Sequence, residues 1–294
     1  MPKGRILNLF SDRYQIAVGE KIYNCIARGK WKKEQISPTV GDIVEITVTD
    51  ENKNEGVMEK IYPRTNTLKR PKISNLTQIV FVVSMNMPKP DLLLLDKQLV
   101  FAMWKKINPI ICLNKVDLAN SEEVLKIANI YQNAGYRVIQ TNAKEKENIE
   151  TIKAILKNNI TAFAGNSGVG KSTLINDIFE QNITEEGDIS LKNKRGKNTT
   201  TSVTLYEIEP NSYVADTPGF STFSIEEIES THLAEYFQEF QEHIPYCEFV
   251  GCGHQNEENC GIKNAVLSGK ISRERYENYC QIYEELKKME EHKW

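Results

Sequence analysis

Apolar and polar positions alternate through roughly the first sixty residues, and then the alternation stops. Within residues 5–62 the segments RILNLF, YQIAVG, KIYNCIA, DIVEITV and VMEKIY either alternate or carry β-branched runs. Gly19, Gly29, Pro38, Gly41 and the Asn- and Glu-rich stretch 51–55 mark the turns between them. Five short strands in so short a span predict a small β-barrel. The OB type binds nucleic acid, but an SH3-like barrel gives the same pattern and small barrels also serve as plain contact modules.

From residue 77 the texture becomes strand and helix in turn. TQIVFVVSM reads as a continuous apolar strand, DLLLLDKQLVFAMW as a buried helix and NPIICLN as a second strand. SEEVLKIANIYQNA is a helix with an apolar face at Val124, Ile127, Ala128 and Tyr131. A strand over 136–141, a helix over 149–156, the strand NITAFAG, a helix over 171–179 and strands over 202–208 and 212–215 follow. This is the α/β pattern of a parallel sheet wound on both faces. Beyond about residue 225 no strand is predicted: a helical region covers 230–243, and a helix over 272–291 places Tyr276, Tyr279, Cys280, Tyr283 and Leu286 on one stripe. The expected domains are a barrel at 1–71, an α/β domain at 72–225 and a helical domain at 226–294.

Charge sharpens this division. The whole chain of 294 residues carries −3, but residues 1–71 hold 13 Lys and Arg against 9 Asp and Glu, whereas residues 226–294 hold 7 against 15. The first segment can meet a polyanion; the last, taken whole, is not drawn to phosphate. No apolar run approaches the roughly 18 residues of a membrane span. Asp12 and Arg13 stand where a signal peptide would be apolar, so a cytoplasmic protein with no membrane partner is expected.

Gly165 to Ser172 reads GNSGVGKS, a phosphate loop placed between an apolar strand and a helix. Gly165, Asn166, Ser167, Gly168, Val169 and Gly170 would wrap phosphate oxygens with backbone N–H groups. Lys171 would reach the β and γ phosphates, Ser172 would hold Mg²⁺, and Thr173 would continue the cradle into the helix. Asp216 to Gly219 reads DTPG at a strand end, making Asp216 the carboxylate that holds Mg²⁺, usually through water, and Gly219 a γ-phosphate sensor. Asn114 to Asp117 reads NKVD: Asp117 would accept the guanine N1–H and N2–H₂ pair, Asn114 would touch the base edge and hold the loop, and the Lys115 stem would cover the base. Asn142, Ala143 and Lys144 form the companion loop at the guanine O6. These motifs occur in the order NKVD, GNSGVGKS, DTPG, a circular permutation of the usual GTPase order.

Cys247, Cys252, His254 and Cys260 are spaced C-x4-C-x-H-x5-C, a closed four-ligand set suited to one structural zinc. Cys25, Cys112 and Cys280 are expected in the core without disulfides, and His232, His243 and His292 lack ligand spacing. Trp31, among Lys30, Lys32 and Lys33, would either stack on a base or pack in the barrel.

The barrel, the permuted motif order, the segment RGKNTTT and the Cys/His tail together resemble the ribosome small-subunit-dependent GTPase A family over nearly the whole chain. The resemblance implies an OB-fold, a circularly permuted GTPase domain and a zinc-containing helical domain. It further implies action in late maturation of the small ribosomal subunit, GTP hydrolysis to GDP stimulated by that subunit, and rRNA contact through both flanking domains. A monomer is expected. By position the first switch is residues 196–201, with Thr200, then Thr199, as Mg²⁺ ligand. Where the family usually has histidine before three threonines this chain has Asn198, which can orient a water but cannot titrate near neutral pH. Phe220 follows DTPG where many GTPases carry a water-orienting glutamine. A GTP-dependent ribosome-binding module with little or no hydrolysis is therefore the rival reading.

Overall fold

The computed structural model describes residues 1–10, 12–29, 31, 37–142, 144–186, 203–216 and 223–291, with backbone only over 180–186. Asn198, Thr199, Thr200, Gly219, Phe220, Ala143 and His292 lie outside the described residues, as do Lys30, Lys32 and Lys33. The chain forms two compact units, one of residues 1–79, 150–163 and 175–220, the other of 80–149, 164–174 and 221–294. Among the described residues no helix is long and apolar enough to cross a membrane.

In the first unit, β1 (Lys3–Phe10), β2 (Arg13–Val18), β3 (Lys21–Ala27), β4 (Ile43–Asp50) and β5 (Glu55–Ile61) close a barrel in the order β1-β2-β3-β5-β4. β4 returns to pair with β1, and β3 with β5 is the parallel pair. This closed five-stranded barrel is of OB type. Its interior is the inward half of the alternation, with Ile6, Ile16, Cys25, Val44, Ile46 and Met58 fully buried. Trp31 is buried, so packing rather than stacking on a base describes its ring. A short hairpin, β6 (Thr67–Leu68) with β7 (Ile73–Ser74), follows; two-residue strands are too short to show a period. The fully buried Asp42 ties it down, taking both arms of the Arg64 fork at 2.7 Å, the Ser74 hydroxyl at 2.6 Å and the Thr39 N–H at 2.8 Å.

Six further strands, β8 (Gln78–Ser84), β9 (Asn108–Asn114), β10 (Arg137–Thr141), β11 (Ile160–Ala164), β12 (Thr204–Glu209) and β13 (Ser212–Asp216), run in the order β10-β9-β8-β11-β13-β12. β10 with β9 and β11 with β13 are parallel, but β12 is antiparallel to β13, which corrects the expectation of a parallel sheet throughout. Pro210 and Asn211, the latter at φ 61°, reverse the chain in a tight turn. The helices are α1 (Leu92–Trp104), α2 (Ser121–Asn133), α3 (Ile149–Leu156) and α4 (Lys171–Glu186). Asp91 caps α1 and Asn120 caps α2, their side chains accepting from Leu94 and Glu122 N–H groups.

In the second unit the helix expected over 230–243 is a series of 3₁₀ turns at Ser230–Tyr236, Gln238–Phe240 and Ile244–Tyr246. Ala234, Phe237 and Phe240 are buried at intervals of three, and three residues per turn put them on one face. α5 (Gly261–Leu267) and α6 (Arg273–Glu291) complete the chain. The buried face of α6 is Arg275, Tyr279, Ile282 and Leu286, while Tyr276, Cys280 and Tyr283 are half-buried, so the apolar stripe lies partly rotated from its expected position.

Arg275 sets that rotation. Its guanidinium is 2% exposed and meets Asp96 of α1 and Glu239 of the 3₁₀ segment. The rings of Tyr131, Tyr136 and Phe237 lie within 5.0–5.2 Å of it, and Asn278 donates to Asp96 at 2.7 Å. Removing the cation leaves two anions short of water and of a partner. Arg275→Met should therefore cost about 3–5 kcal/mol, seen as a lower urea midpoint; a loss under about 1 kcal/mol would mean that the network is not a structural clamp.

Candidate functional site

Residues 165–170 leave the buried strand β11 and enter α4, with Gly165 and Gly170 at positive φ of 142° and 101°. A Cβ on Gly165 would stand 2.3 Å from the Val82 carbonyl oxygen, and one on Gly170 only 2.1 Å from Asn114 Nδ2. Neither position has room for a side chain. The Lys171 ammonium donates to the Gly165 carbonyl at 2.5 Å and the Asn166 carbonyl at 2.8 Å, and burial lowers its pKa. Asn166, Ser167, Gly168, Ser172 and Thr173 are exposed, whereas Val169 is buried.

The NKVD segment is fastened to this loop. Asn114, 1% exposed at the end of β9, donates its side-chain amide to the Val169 carbonyl at 2.8 Å. Lys115, in the left-handed region at φ 61°, donates to the carbonyls of Gly168 at 2.7 Å and Met87 at 2.5 Å. Asp117 is exposed in the 3₁₀ turn Val116–Leu118. The Asn114 amide thus joins the end of β9 to the loop after β11, and the Lys115 ammonium bridges two loops. Met87 carried no sequence signal because it contributes a backbone carbonyl, which every residue owns.

Asn142 is buried and shapes its own turn: its Oδ1 accepts from the N–H groups of Lys144 at 3.2 Å and Glu145 at 3.3 Å, and its carbonyl from Glu147 N–H at 3.0 Å. Asp216 ends β13 in the first unit, half-buried and in register with Thr204. Phe223, which follows the DTPG region, packs edge-on against Phe81 at 5.5 Å and Phe101 at 5.2 Å.

The second constellation is a candidate metal centre. One ligand atom from each of Cys247, Cys252, His254 and Cys260 lies within 4.8 Å of all the others. Cys247 Sγ is 4.0 Å from Cys260 Sγ and 3.5 Å from His254 Nδ1, which lies 3.3 Å from Cys260 Sγ. Tetrahedral coordination with metal–sulfur bonds of about 2.3 Å sets ligand atoms about 3.8 Å apart, so the set fits a four-coordinate cation. Burial lowers the His254 pKa, which favours the neutral, ligating ring. The same burial pushes the Cys252 thiol up to about 12 and raises Cys260, an environment that disfavours thiolates until a cation compensates them. α6 braces the ligand loop: Tyr276 donates to the His254 carbonyl at 2.7 Å and Tyr279 to that of Gly253 at 3.0 Å. Cys25, Cys112 and Cys280 form no disulfide. His232 is exposed and pairs with Glu235 at 2.8 Å, which raises its pKa; His243 is half-buried.

Comparison with known proteins reaches across the chain. Family models for the RsgA N-terminal domain and the RsgA GTPase match residues 3–58 and 61–226. A protein named small ribosomal subunit biogenesis GTPase RsgA from Alkaliphilus metalliredigens is 40% identical over 288 residues, 98% of this chain and 99% of that one. A protein of the same name from Clostridium acetobutylicum is 43% identical over 284 residues, 97% of each. Among solved structures, YjeQ from Thermotoga maritima superposes with a TM-score of 0.85 at 34% identity, covering 97% of this chain and 98% of its own. YloQ, described as a circularly permuted GTPase, gives 0.84 at 35% identity, covering 98% and 96%.

Because the two loops meet at Gly170, Gly170→Ala should push Asn114 off the Val169 carbonyl and weaken nucleotide binding at least tenfold. Gly19→Ala is the control, since Gly19 also has positive φ, at 58°, but nothing lies within 4 Å of its Cβ position. Equal nucleotide affinity in the two variants, measured by titration with a fluorescent nucleotide, would show that the interlock does not matter for binding.

Proposed function

This chain belongs to the RsgA GTPase family, and from that membership we propose that it hydrolyses GTP in the late maturation of the small ribosomal subunit. The observation that carries the reading is the interlock just described: Asn114 and Lys115 are hydrogen-bonded to the phosphate loop itself. A base recognised by Asp117 and phosphates held at residues 165–173 would then sit at a set separation, and the chain would measure one nucleotide rather than bind a base and an anion independently.

GTP enters with its β and γ phosphates over the backbone N–H groups at the start of α4. Lys171 exchanges its carbonyl partners for phosphate oxygens, a charge-assisted contact in place of two neutral ones. Mg²⁺, held by Ser172, Asp216 and Thr200, would neutralise charge on the β and γ phosphates. Asp117 accepts N1–H and N2–H₂ of guanine, and the companion segment Asn142, Ala143 and Lys144 would bring a backbone N–H to O6. Asn198 cannot serve as a base and Phe220 cannot orient water, so the free protein lacks a complete hydrolytic set and the subunit supplies what is missing. The first segment, with 13 cations against 9 anions, is the element suited to rRNA. The Cys/His cluster takes zinc: three thiolates and one imidazole with no open position make a structural site. The protein works as a cytoplasmic monomer.

Three measurements test this. Single-turnover hydrolysis should run far below the roughly 10 per second typical of enzymes, and small ribosomal subunits should raise it at least tenfold, about 1.4 kcal/mol of transition-state stabilisation. A rate indifferent to subunits would overturn the activation model and favour a binding module that hydrolyses little. Asp117→Asn should weaken GTP by several kcal/mol and gain xanthosine triphosphate, whose 2-oxo group complements the new amide; unchanged GTP affinity would remove Asp117 from base recognition. Metal analysis of reduced protein should find about one zinc per chain, and Cys252→Ser should lose it while keeping nucleotide binding; a zinc content near zero would sink the assignment.

A further inference from the structure

Helix α1 buries two polar side chains among its leucines, Asp96 and Gln98. Asp96 is met by Arg275 and Asn278. Gln98 is 3% exposed, and its Nε2 finds no hydrogen-bond partner in the protein. A buried donor left without an acceptor carries the full cost of leaving water, so an apolar side chain would suit this position better unless the amide has a task. Its surroundings supply one. Leu94 and Leu95 stand one turn before Gln98 on the same face of α1, and that face forms part of the wall of a small cavity. Gly165 and Asn166, the first two residues of the phosphate loop, line the same cavity, as does Ser84 at the end of β8.

Size and lining select what the cavity takes. It leaves about 20 Å³ for the centre of a water molecule, where roughly 10–15 Å³ admits one. A buried water needs two to four polar partners, and they are here. Gln98 Nε2 is a donor, the Ser84 hydroxyl accepts from Asn86 N–H at 3.3 Å and can donate as well, and the carbonyls of Gly165 and Asn166 have two lone pairs each, of which the Lys171 ammonium engages one. We propose that one water occupies this cavity, accepts from Gln98 Nε2 and Ser84 Oγ and donates to the carbonyls of residues 165–166, which makes Gln98 a positioning residue for the phosphate loop. The effect reaches the nucleotide through Lys171, because those two carbonyls aim its ammonium. Asn114 fastens the loop at Val169, and the Gln98 bridge fastens it where it leaves β11. The inference rests on the reading that this loop holds the phosphates of GTP, and it adds a residue outside the GNSGVGKS, NKVD and DTPG segments.

Gln98→Met keeps the length of the side chain and removes the amide. In the full chain, titration with fluorescent GDP and GTP should show binding weakened about fivefold, the worth of roughly one hydrogen bond. Affinity for guanosine, which has the base and no phosphate, should not change, and neither should the urea midpoint. Crystals of the wild-type protein should show a water within about 3.2 Å of both Gln98 Nε2 and a carbonyl of residues 165–166. Unaltered GDP and GTP affinity, an equal loss for guanosine, a midpoint that falls together with the affinity, or a cavity without that water would each overturn the bridge alone. A wild-type chain that binds no guanine nucleotide would instead overturn the GTP reading, and the role of Gln98 with it.

Discussion

The buried amide of Asn114 is the contact on which the candidate site depends. Its hydrogen bond to the Val169 carbonyl joins the end of β9 to the loop after β11. That bond has room because residue 170 has no side chain: a Cβ there would stand 2.1 Å from Nδ2 and displace the amide. Once Asn114 is placed, Lys115 follows in the left-handed conformation, its stem crossing to Gly168 and Met87, and Asp117 emerges into solvent two residues later. The NKVD segment and the GNSGVGKS segment are thus held against each other by one packing constraint. In this circularly permuted domain the constraint joins residues 55 positions apart, with the base motif first, so the order along the chain matters less than the strand ends that present the motifs.

A different economy holds the helical part. Arg275 is a cation at a position where the helix would ordinarily place an apolar residue, and its burial is tolerable because two carboxylates and three ring faces surround it. Desolvating such a group offsets much of what its partners return, so the cluster adds less net stability than its contacts suggest. Its role is register: a guanidinium fork satisfied by Glu239 on one side and Asp96 on the other admits only one rotation of α6 against α1. That rotation in turn brings Tyr276 and Tyr279 onto the carbonyls of His254 and Gly253 beside the Cys/His cluster.

What is legible in the sequence is whatever leaves a periodic or side-chain-specific trace. The five barrel strands begin and end within about two residues of where alternation puts them, α3 covers the expected 149–156, and Cys247, Cys252, His254 and Cys260 converge into a group that could hold a metal ion. The reversal at Pro210–Asn211 has a turn signature, yet a run of strand, loop and strand does not state the direction of pairing. The 3₁₀ segment resembles an α-helix in sequence because intervals of three and of 3.6 diverge little over about ten residues. Arg275 is illegible for a sharper reason, since a charged residue in a helix is normally solvated and only its neighbours in space reveal otherwise. Asn142 shows its position in the sequence but not its role, because its side-chain oxygen is occupied by its own turn.

Among the described residues β12 stands last in the sheet order and runs against its neighbour, and this has a bearing on solubility. An outermost strand exposes unpaired peptide groups that another chain's strand can adopt, the first step toward edge-to-edge aggregation. β12 spans six residues, carries Glu207 and Glu209, and is cut short by Pro210, which has no N–H to offer. An incoming strand would meet like-charged carboxylates over a short row of peptide groups and then a missing donor. Among the described strands the reversed strand is thus a short acidic edge, packed beside β1 of the barrel, that disfavours growth of the sheet by strand addition.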